Sequence, residues 1–314
     1  MFRPKAFAAV ISVGFAAVLV DRPALAVTPS HDCRLEPGPT RSVAKIVDSE
    51  TLLLDDGKEV RLIGALGPRA LDVGADPGTW PIELAAKAVL TELALSKSIT
   101  LAFGGEKTDR YGRWLAHVFI GEGEAQRWLQ GQMLLSGHAR SYTISGNRAC
   151  QTELLAHEQI ARDATLGLWA HAAYQPRKPW PARELSSFAS TFQIVEGRVS
   201  RVTQGREFIY LNFGREGRWD FSAAIRRTDR ETLGRFGGDA KSLQGRRIEV
   251  RGWIEQRSGP MLDISIAGQL ATRDAQAEST TSNQLSAPAE PRVRRSRSRT
   301  LAEPAAVPPT KDPD

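Results

Sequence analysis

Two arginines that could neutralise a phosphate group stand in or beside separate strand-like runs of this chain. Arg61 lies within the first run, residues 59–63, and Arg113 directly precedes the second, residues 114–120. Guanidinium groups bind phosphate oxygens through parallel N–H donors, and acidic residues flank both arginines. If the fold brings the two runs together, the sequence predicts a phosphate-binding site at Arg61 and Arg113.

Residues 40–172 predict a small barrel that would position these arginines. Helical spacing begins at Pro81 and recurs in two later segments, 125–135 and 147–167. Alternating apolar side chains predict five strands, at residues 42–47, 51–54, 59–63, 99–103 and 114–120. Five strands with helices late in the order predict a closed barrel.

The rest of the chain predicts a second barrel and a tail. Proline-rich residues 173–189 are typical of a linker, and residues 273–314, with an arginine cluster at 292–299, predict a disordered basic tail. Between them, residues 190–272 predict five strands, at 192–202, 207–213, 219–225, 246–254 and 261–266, with a helix at 230–243. The predicted fold class is therefore α+β and mainly β, with two five-stranded barrels of the oligonucleotide-binding type, the first of which carries helices.

Composition and the N-terminus indicate an exported protein with anionic partners. The formal net charge is +6 at pH 7, which favours polyanions without selecting one. Residues 1–26 have the positive start, apolar run and small residues of a signal peptide cleaved after Ala26, which predicts a periplasmic or secreted protein with a mature segment from residue 27 to 39. A membrane anchor is the alternative, but the apolar run is shorter than the ~20 residues of a span, so we expect no membrane span in the mature chain.

The chain has two cysteines, Cys33 and Cys150, which are too far apart in sequence for a CxxC site. In an oxidising compartment an even pair tends to form a disulfide. We therefore expect a structural disulfide between them, with two buried free thiols as the alternative.

Three motifs in residues 40–170 resemble the thermonuclease, or staphylococcal-nuclease-like, family. The family pattern runs Asp-Gly-Asp-Thr, then Arg-Leu-x-x-x-Asp-Thr/Ala-Pro-Glu, then Asp-Lys/Arg-Tyr-Gly-Arg. The corresponding segments of this chain are DSET at residues 48–51, RLIGALGPR at 61–69 and DRYGR at 109–113. The resemblance implies an oligonucleotide-binding barrel that hydrolyses nucleic-acid phosphodiesters with calcium.

The resemblance also identifies positions where this chain departs from the pattern. Glu50 replaces one metal-binding Asp, Leu66 replaces the second, and Arg69 replaces the Glu that would act on the attacking water. Arg61 and Arg113, the pair that would bind the phosphate, remain. Gly67 stands where the family offers a backbone carbonyl to the metal.

These departures predict a site that binds phosphate and cleaves it poorly. Calcium takes about six to eight oxygen ligands, and a leucine offers none. The resemblance leaves a weak or lost metal site at Asp48 and Glu50, so no cofactor is certain and Ca²⁺ is expected only if the chain is active. Two alternatives stay open, that Arg69 points outward and that Asp72 or Asp76 supplies a missing acid.

Aromatic residues beside arginines suggest further contacts with nucleic acid. Tyr111 and Arg110 lie in the third motif, and Trp253 and Arg251 lie in a predicted strand of the second barrel. Unpaired bases stack on aromatic side chains beside basic residues, provided that these side chains face outward. We predict nucleic-acid binding at these four residues.

The predicted function is the binding of nucleic acid, as single-stranded DNA or RNA, or of another polyanion, with impaired catalysis. Whether the chain is an enzyme depends on two replacements, Leu66 for a metal ligand and Arg69 for the expected base. Two alternatives remain, an active metal-dependent endonuclease and an envelope scaffold that uses both barrels to bind proteins.

Overall fold

The computed structural model describes residues 33–214 and 219–273. The predicted signal peptide and almost all of the predicted basic tail lie outside these residues. The described residues up to Thr272 belong to one compact unit. Within the described part of the chain, no helix is long and apolar enough to cross a membrane.

The first half forms the predicted closed barrel. Its strands are β1 (Glu36–Ile46), β2 (Thr51–Leu54), β3 (Glu59–Leu62), β4 (Gly64–Leu66), β5 (Ser98–Phe103), β6 (Trp114–Ile120), β7 (Arg127–Trp128) and β8 (Arg140–Tyr142). Five of them pair in the order β3-β2-β1-β5-β6, and a parallel pairing of β3 with β6 closes the ring. The prediction of a mixed, mainly β fold with a five-stranded barrel is confirmed.

Three helices cover this barrel, α1 (Pro81–Ala94), α2 (Leu129–Leu135) and α3 (Gln151–Asp163). Pro81 occupies the first turn of α1, where its missing N–H is harmless. Helix α2 begins four residues later than predicted, because residues 127–128 pair with β6 instead. Leu90 of α1, Met133 of α2 and Leu154 of α3 are buried in one apolar core with the barrel strands.

The second half contains eight strands around its own core. They are β9 (Phe192–Arg198), β10 (Arg201–Gln204), β11 (Phe208–Asn212), β12 (Ser222–Arg226), β13 (Arg247–Trp253), β14 (Glu255–Gln256), β15 (Pro260–Ile264) and β16 (Leu270–Thr272). If β9 with β10 and β13 with β14 are each taken as one interrupted strand, the pairings repeat those of the first barrel, including one parallel pair, β12 with β15. These strands form two sheets, β10-β11-β12-β15-β14 and β16-β13-β9, around one core that includes Val195, Leu211, Ile225 and Val250. We refer to this barrel-like half as the second barrel.

The predicted helix at residues 230–243 is interrupted. It consists of α5 (Arg230–Gly234) and a 3₁₀ turn (Ala240–Leu243). Gly237 and Gly238 between them have φ angles of 72° and 81°, which are incompatible with a continuous right-handed helix. The other 3₁₀ turns are Ala70–Val73, Gly123–Ala125, Gly167–Ala170, Ala172–Tyr174 and Ala267–Gln269.

The segment between the barrels is packed against its surroundings. It contains the short helix α4 (Ala182–Ser186), and Tyr174, Ala182 and Leu185 are buried. Residues 173–189 thus have fixed contacts within the compact unit, while the predicted domain boundaries remain a prediction.

The predicted disulfide is confirmed. Cys33 and Cys150 are bonded, and the described residues contain no free cysteine. Cys150 directly precedes α3, so the bond attaches the segment before β1 to the start of this helix.

Candidate functional site

The closing pair of barrel strands brings Arg61 and Arg113 together. Arg61 of β3 lies opposite Leu115 of β6, and Arg113 precedes β6 by one residue. Both side chains line one cleft with a volume of about 330 Å³. The structure therefore supports the predicted proximity of the two guanidinium groups.

A tight turn fixes the Arg113 side chain. Asp109 Oδ1 accepts hydrogen bonds from the backbone N–H groups of Tyr111 (2.9 Å) and Arg113 (3.0 Å), and Asp109 Oδ2 accepts one from Arg113 Nε at 2.8 Å. Gly112 within this turn has a φ angle of 81°, a conformation that favours glycine. Desolvation disfavours the charged form of Asp109, but the hydrogen bonds from Arg113 outweigh it and lower the pKa of this carboxyl.

Glu50 is the most constrained acid of the cleft. It is buried directly before β2, and its carboxylate is paired with the Arg69 guanidinium and lies 3.5 Å from Arg61 Nη2. Its second oxygen, Oε2, accepts a hydrogen bond from Gly67 N at 3.2 Å. A side chain at residue 67 would collide with Ser49, so glycine permits this close approach.

Arg69 therefore faces the cleft, and the alternative in which it points outward is wrong. Desolvation lowers the pKa of Arg69, but the adjacent Glu50 carboxylate outweighs it and raises this pKa. The guanidinium thus stays charged and holds Glu50 in an ion pair.

The other positions expected to supply acids do not do so. Leu66 is 1% exposed and packs with Trp169 and Tyr174 in an apolar cluster. Asp72 is also buried, and its carboxylate binds Arg140 at 2.5 Å and does not line the cleft. Asp76 is exposed and does not line the cleft either.

Glu83 is a cleft residue that the sequence analysis missed. It lies in the first turn of α1, lines the cleft and accepts a weak hydrogen bond from Ala70 N at 3.3 Å. The predicted helix start at Pro81 could have indicated this residue, because Glu83 follows two residues later and therefore lies in the first turn of the helix.

The carboxylates of the cleft do not fit a calcium ion. Asp48, Glu50 and Glu83 line it, but both oxygens of Glu50 already accept hydrogen bonds or ion pairs. One oxygen of Asp48 accepts from Glu50 N at 2.8 Å. Calcium needs about six to eight oxygens, several of them anionic, and a guanidinium beside the site repels it. Among the described residues, no group of three or more His, Cys, Asp or Glu is arranged to hold a metal.

Tyr111 and Arg110 lie beside the cleft on the Asp109 turn. The Tyr111 ring is 69% exposed, and the Arg113 guanidinium lies 5.5 Å from its centroid. Arg110 Nη2 donates a hydrogen bond to Tyr111 Oη at 2.7 Å. Both side chains are accessible, as the predicted contact with nucleic acid requires.

Arg251 and Trp253 lie elsewhere. The burial of Arg251 contradicts its predicted contact with nucleic acid, whereas Trp253 is half-buried and its predicted contact stays a prediction. Arg251 is 6% exposed and forms ion pairs with Glu158 (2.8 Å) and Glu249 (2.6 Å). Trp253 packs in the cluster around Phe192, and its indole N–H donates to Tyr142 Oη at 3.1 Å. The period-2 pattern does not reveal this, because α3 of the first barrel covers the face of β13 that holds Arg251.

Comparisons with known proteins identify similarity in the first barrel. A family model described as "Staphylococcal nuclease homologue" matches residues 59–171. Protein ParB of Escherichia coli is 30% identical over 153 residues, which cover 46% of this chain and 79% of that protein. An uncharacterized protein of Methanocaldococcus jannaschii is 25% identical over 146 residues, which cover 40% of this chain and 70% of that protein.

Proposed function

We propose that this chain, which belongs to the family of staphylococcal nuclease homologues, binds nucleic-acid phosphates and hydrolyses the phosphodiester bonds poorly. The family supports nuclease activity or nucleic-acid binding in general terms. The finer proposal is that Arg61 and Arg113 hold the phosphate while the catalytic machinery is impaired.

The ion pair between Arg69 and Glu50 carries this proposal. In the family pattern, both positions hold acids, one for the metal and one for the attacking water. Here the Arg69 guanidinium forms an ion pair with the Glu50 carboxylate. Two unit charges ~4 Å apart interact by ~4 kcal/mol at an effective dielectric of ~20, so a dication would have to displace a strongly favoured partner.

Loss of the acid at residue 69 also removes a candidate general base. A positioned general base typically contributes roughly 10²- to 10⁴-fold in rate. Asp72 is held by Arg140, so it does not substitute for that base. Leu66 supplies no metal ligand and Arg69 supplies no general base, and both losses slow the hydrolysis step. The site therefore favours binding without efficient turnover.

The guanidinium groups can bind a phosphate because their N–H donors are only partly used. Arg61 has one ion pair among the described residues, the 3.5 Å contact with Glu50, and its side chain is about one-quarter exposed (26%). The Nε and Nη2 atoms of Arg113 contact Asp109, so Nη1 is left to donate to a phosphate. The cleft has three arginines and three carboxylates in its lining, so we expect moderate affinity with a clear dependence on salt.

Export to an oxidising compartment is part of the proposal. The Cys33–Cys150 disulfide supports it, because such bonds persist in the periplasm or outside the cell. Mass spectrometry of the protein recovered from the producing cells tests this point, with cleavage after Ala26 as the expected result.

The decisive experiment combines a binding assay and a cleavage assay on labelled single-stranded DNA and RNA, with calcium and then with chelator. We expect binding that salt weakens, no chelator-sensitive cleavage, and weaker binding by Arg61→Ala and Arg113→Ala. Arg41→Ala is the matched control, since this exposed arginine pairs with Asp56 and does not line the cleft.

Two other functions predict different results. Chelator-sensitive cleavage that Glu50→Ala abolishes would replace this proposal with an active metal-dependent endonuclease, the function that family membership favours. The absence of both binding and cleavage would favour a scaffold that binds proteins.

A further inference from the structure

The second barrel has an outward face that none of the site residues discussed so far occupies. Along β11, Ile209 and Leu211 point into the core, while Phe208, Tyr210 and Asn212 alternate to the other side. Neighbouring strands place Arg201 opposite Asn212 and Arg226 opposite Phe208. We call this surface, with Thr203, Ser222 and Arg257, the Tyr210 face.

Two hollows lie along this face. The first, of about 340 Å³, is lined by Arg201, Tyr210 and Arg257 among others. The second, of about 410 Å³, is lined by Phe208 and Arg226 among others. Each hollow therefore has an aromatic ring and at least one arginine. The ring centroids of Phe208 and Tyr210 are 6.2 Å apart, so the two hollows are neighbours on the face.

Hydrogen bonds hold the centre of the face in place. Asn212 Nδ2 donates to Thr203 Oγ1 at 3.1 Å, and Asn212 Oδ1 accepts from Ser222 at 2.9 Å. These bonds join three adjacent strands beside Tyr210. The ring therefore stands on a pre-organised surface, which reduces the entropy lost when a ligand stacks on it.

The second barrel has more basic than acidic residues, although Asp220, Asp229, Glu231 and Asp263 also line the two hollows. Residues 190–272 contain fourteen Lys or Arg against ten Asp or Glu, whereas residues 40–172 contain fourteen against sixteen. On the Tyr210 face, Arg257 is paired with Glu255 and Asp263. Arg201 forms no ion pair with any residue that the structure describes, and the Arg226 guanidinium lies 4.9 Å from the Phe208 ring centroid.

We propose that the Tyr210 face binds single-stranded nucleic acid, with bases stacked on Tyr210 and Phe208 and phosphates held by Arg201 and Arg226. Aromatic rings beside arginines favour unpaired bases, because a base exposes its π-face only outside a duplex. This site goes beyond the cleft of the first barrel and shares no residue with it.

Fluorescence anisotropy with a labelled oligothymidylate of about 15 nucleotides tests the proposal on the full chain. Tyr210→Ala is expected to weaken binding roughly tenfold, whereas Tyr210→Phe keeps the ring and should retain affinity. Arg201→Ala is expected to weaken binding and to reduce the slope of log affinity against log salt by about one. Arg235→Ala is the matched control, because this exposed arginine lines neither hollow.

A duplex of the same length distinguishes stacking from charge alone. We expect the Tyr210→Ala effect on the single strand only, and an equal loss on the duplex would overturn the proposal. Circular dichroism checks that each variant is folded. If Tyr210→Ala does not fold, the paired surface variant Arg201→Ala/Arg226→Ala decides, and unchanged affinity in it would overturn the proposal.

The variant Arg61→Ala/Arg113→Ala separates this site from the cleft. If that variant binds the oligonucleotide weakly and the Tyr210 face variants bind normally, the present inference fails and the proposed function stands. The reverse result supports the Tyr210 face and removes the cleft as the binding site.

Discussion

The two barrels have the same order of strand pairing but use arginine in different ways. In the cleft of the first barrel, Arg61 and Arg69 share Glu50, and Arg113 is held by Asp109. On the outer face of the second barrel, Arg201 is exposed and has no ion-pair partner in the described ranges. This contrast indicates that a guanidinium paired with a carboxylate fixes the shape of a site, whereas an unpaired one contributes attraction for a polyanion.

A third use of arginine occurs where the barrels meet. Arg251 of β13 is paired with Glu158 of α3, and Arg162 of α3 is paired with Glu249 of β13 at 2.9 Å. Desolvation lowers the pKa of Arg251, but the two carboxylates outweigh it and raise this pKa. This buried network joins α3 to β13.

The largest expected effect is on stability. Arg251→Ala would remove one of the two guanidinium groups that pair with the buried carboxylates of Glu158 and Glu249, which should lower the free energy of unfolding by about 3–5 kcal/mol. Urea denaturation, followed by tryptophan fluorescence and by circular dichroism, measures the loss. Coincident transitions from both probes would show that the barrels unfold together.

The control for this variant is Arg247→Ala on the same strand. Its side chain is 62% exposed and pairs with Glu196, so its removal should cost less than about 1 kcal/mol. Equal losses in Arg251→Ala and Arg247→Ala would contradict the role assigned to burial. Weaker nucleic-acid binding by Arg251→Ala at unchanged stability would restore the original prediction for this residue.

The fold was largely predictable because its signals are local. The hairpin at residues 55–57 and the strand-forming residues of β2, β3 and β6 are signals carried by neighbouring residues, and these three strands lie where they were expected. The helix α2 was placed too early, because pairing of residues 127–128 with β6 is a contact that helical spacing does not report.

The site was predictable only in part. The motif positions of Arg61 and Arg113 were sufficient to place both in one cleft. The direction of Arg69 was not, because it depends on how the chain turns between β4 and α1. Arg251 was misassigned because its neighbour Val250 faces the second core, while Arg251 faces α3, a partner distant in sequence.

A smaller effect should depend on pH and originate in the first barrel. Residues 190–272 contain no histidine, whereas His117 is buried in the first barrel, and burial lowers its pKa to about 4, with Glu153 opposing the shift. The unfolded chain takes up a proton below about pH 6.5, whereas folded His117 does so only near pH 4. Stability should therefore fall as the pH drops through this window, by up to ~3 kcal/mol from this residue.

Replacing His117 by glutamine removes this proton uptake. We expect His117→Gln to reduce the loss of stability between pH 6.5 and pH 4, measured by urea denaturation at several pH values. An unchanged slope would assign the acid sensitivity to other groups, such as His138 and His157, whose pKa values burial also lowers.

The smallest expected effect tests whether paired arginines in the cleft exclude a dication. Arg69→Ala frees one oxygen of Glu50 from its ion pair, while Arg61 stays 3.5 Å away. Calcium affinity should rise roughly tenfold, because the removed interaction is worth several kcal/mol at most and Arg61 keeps part of the repulsion. Isothermal titration calorimetry with Ca²⁺ measures the gain, and Arg41→Ala makes the same change of charge outside the cleft. An equal gain in both variants would attribute the effect to net charge. A gain confined to Arg69→Ala, without cleavage of DNA, would show that the apolar position of Leu66 still withholds a ligand after the arginine is gone.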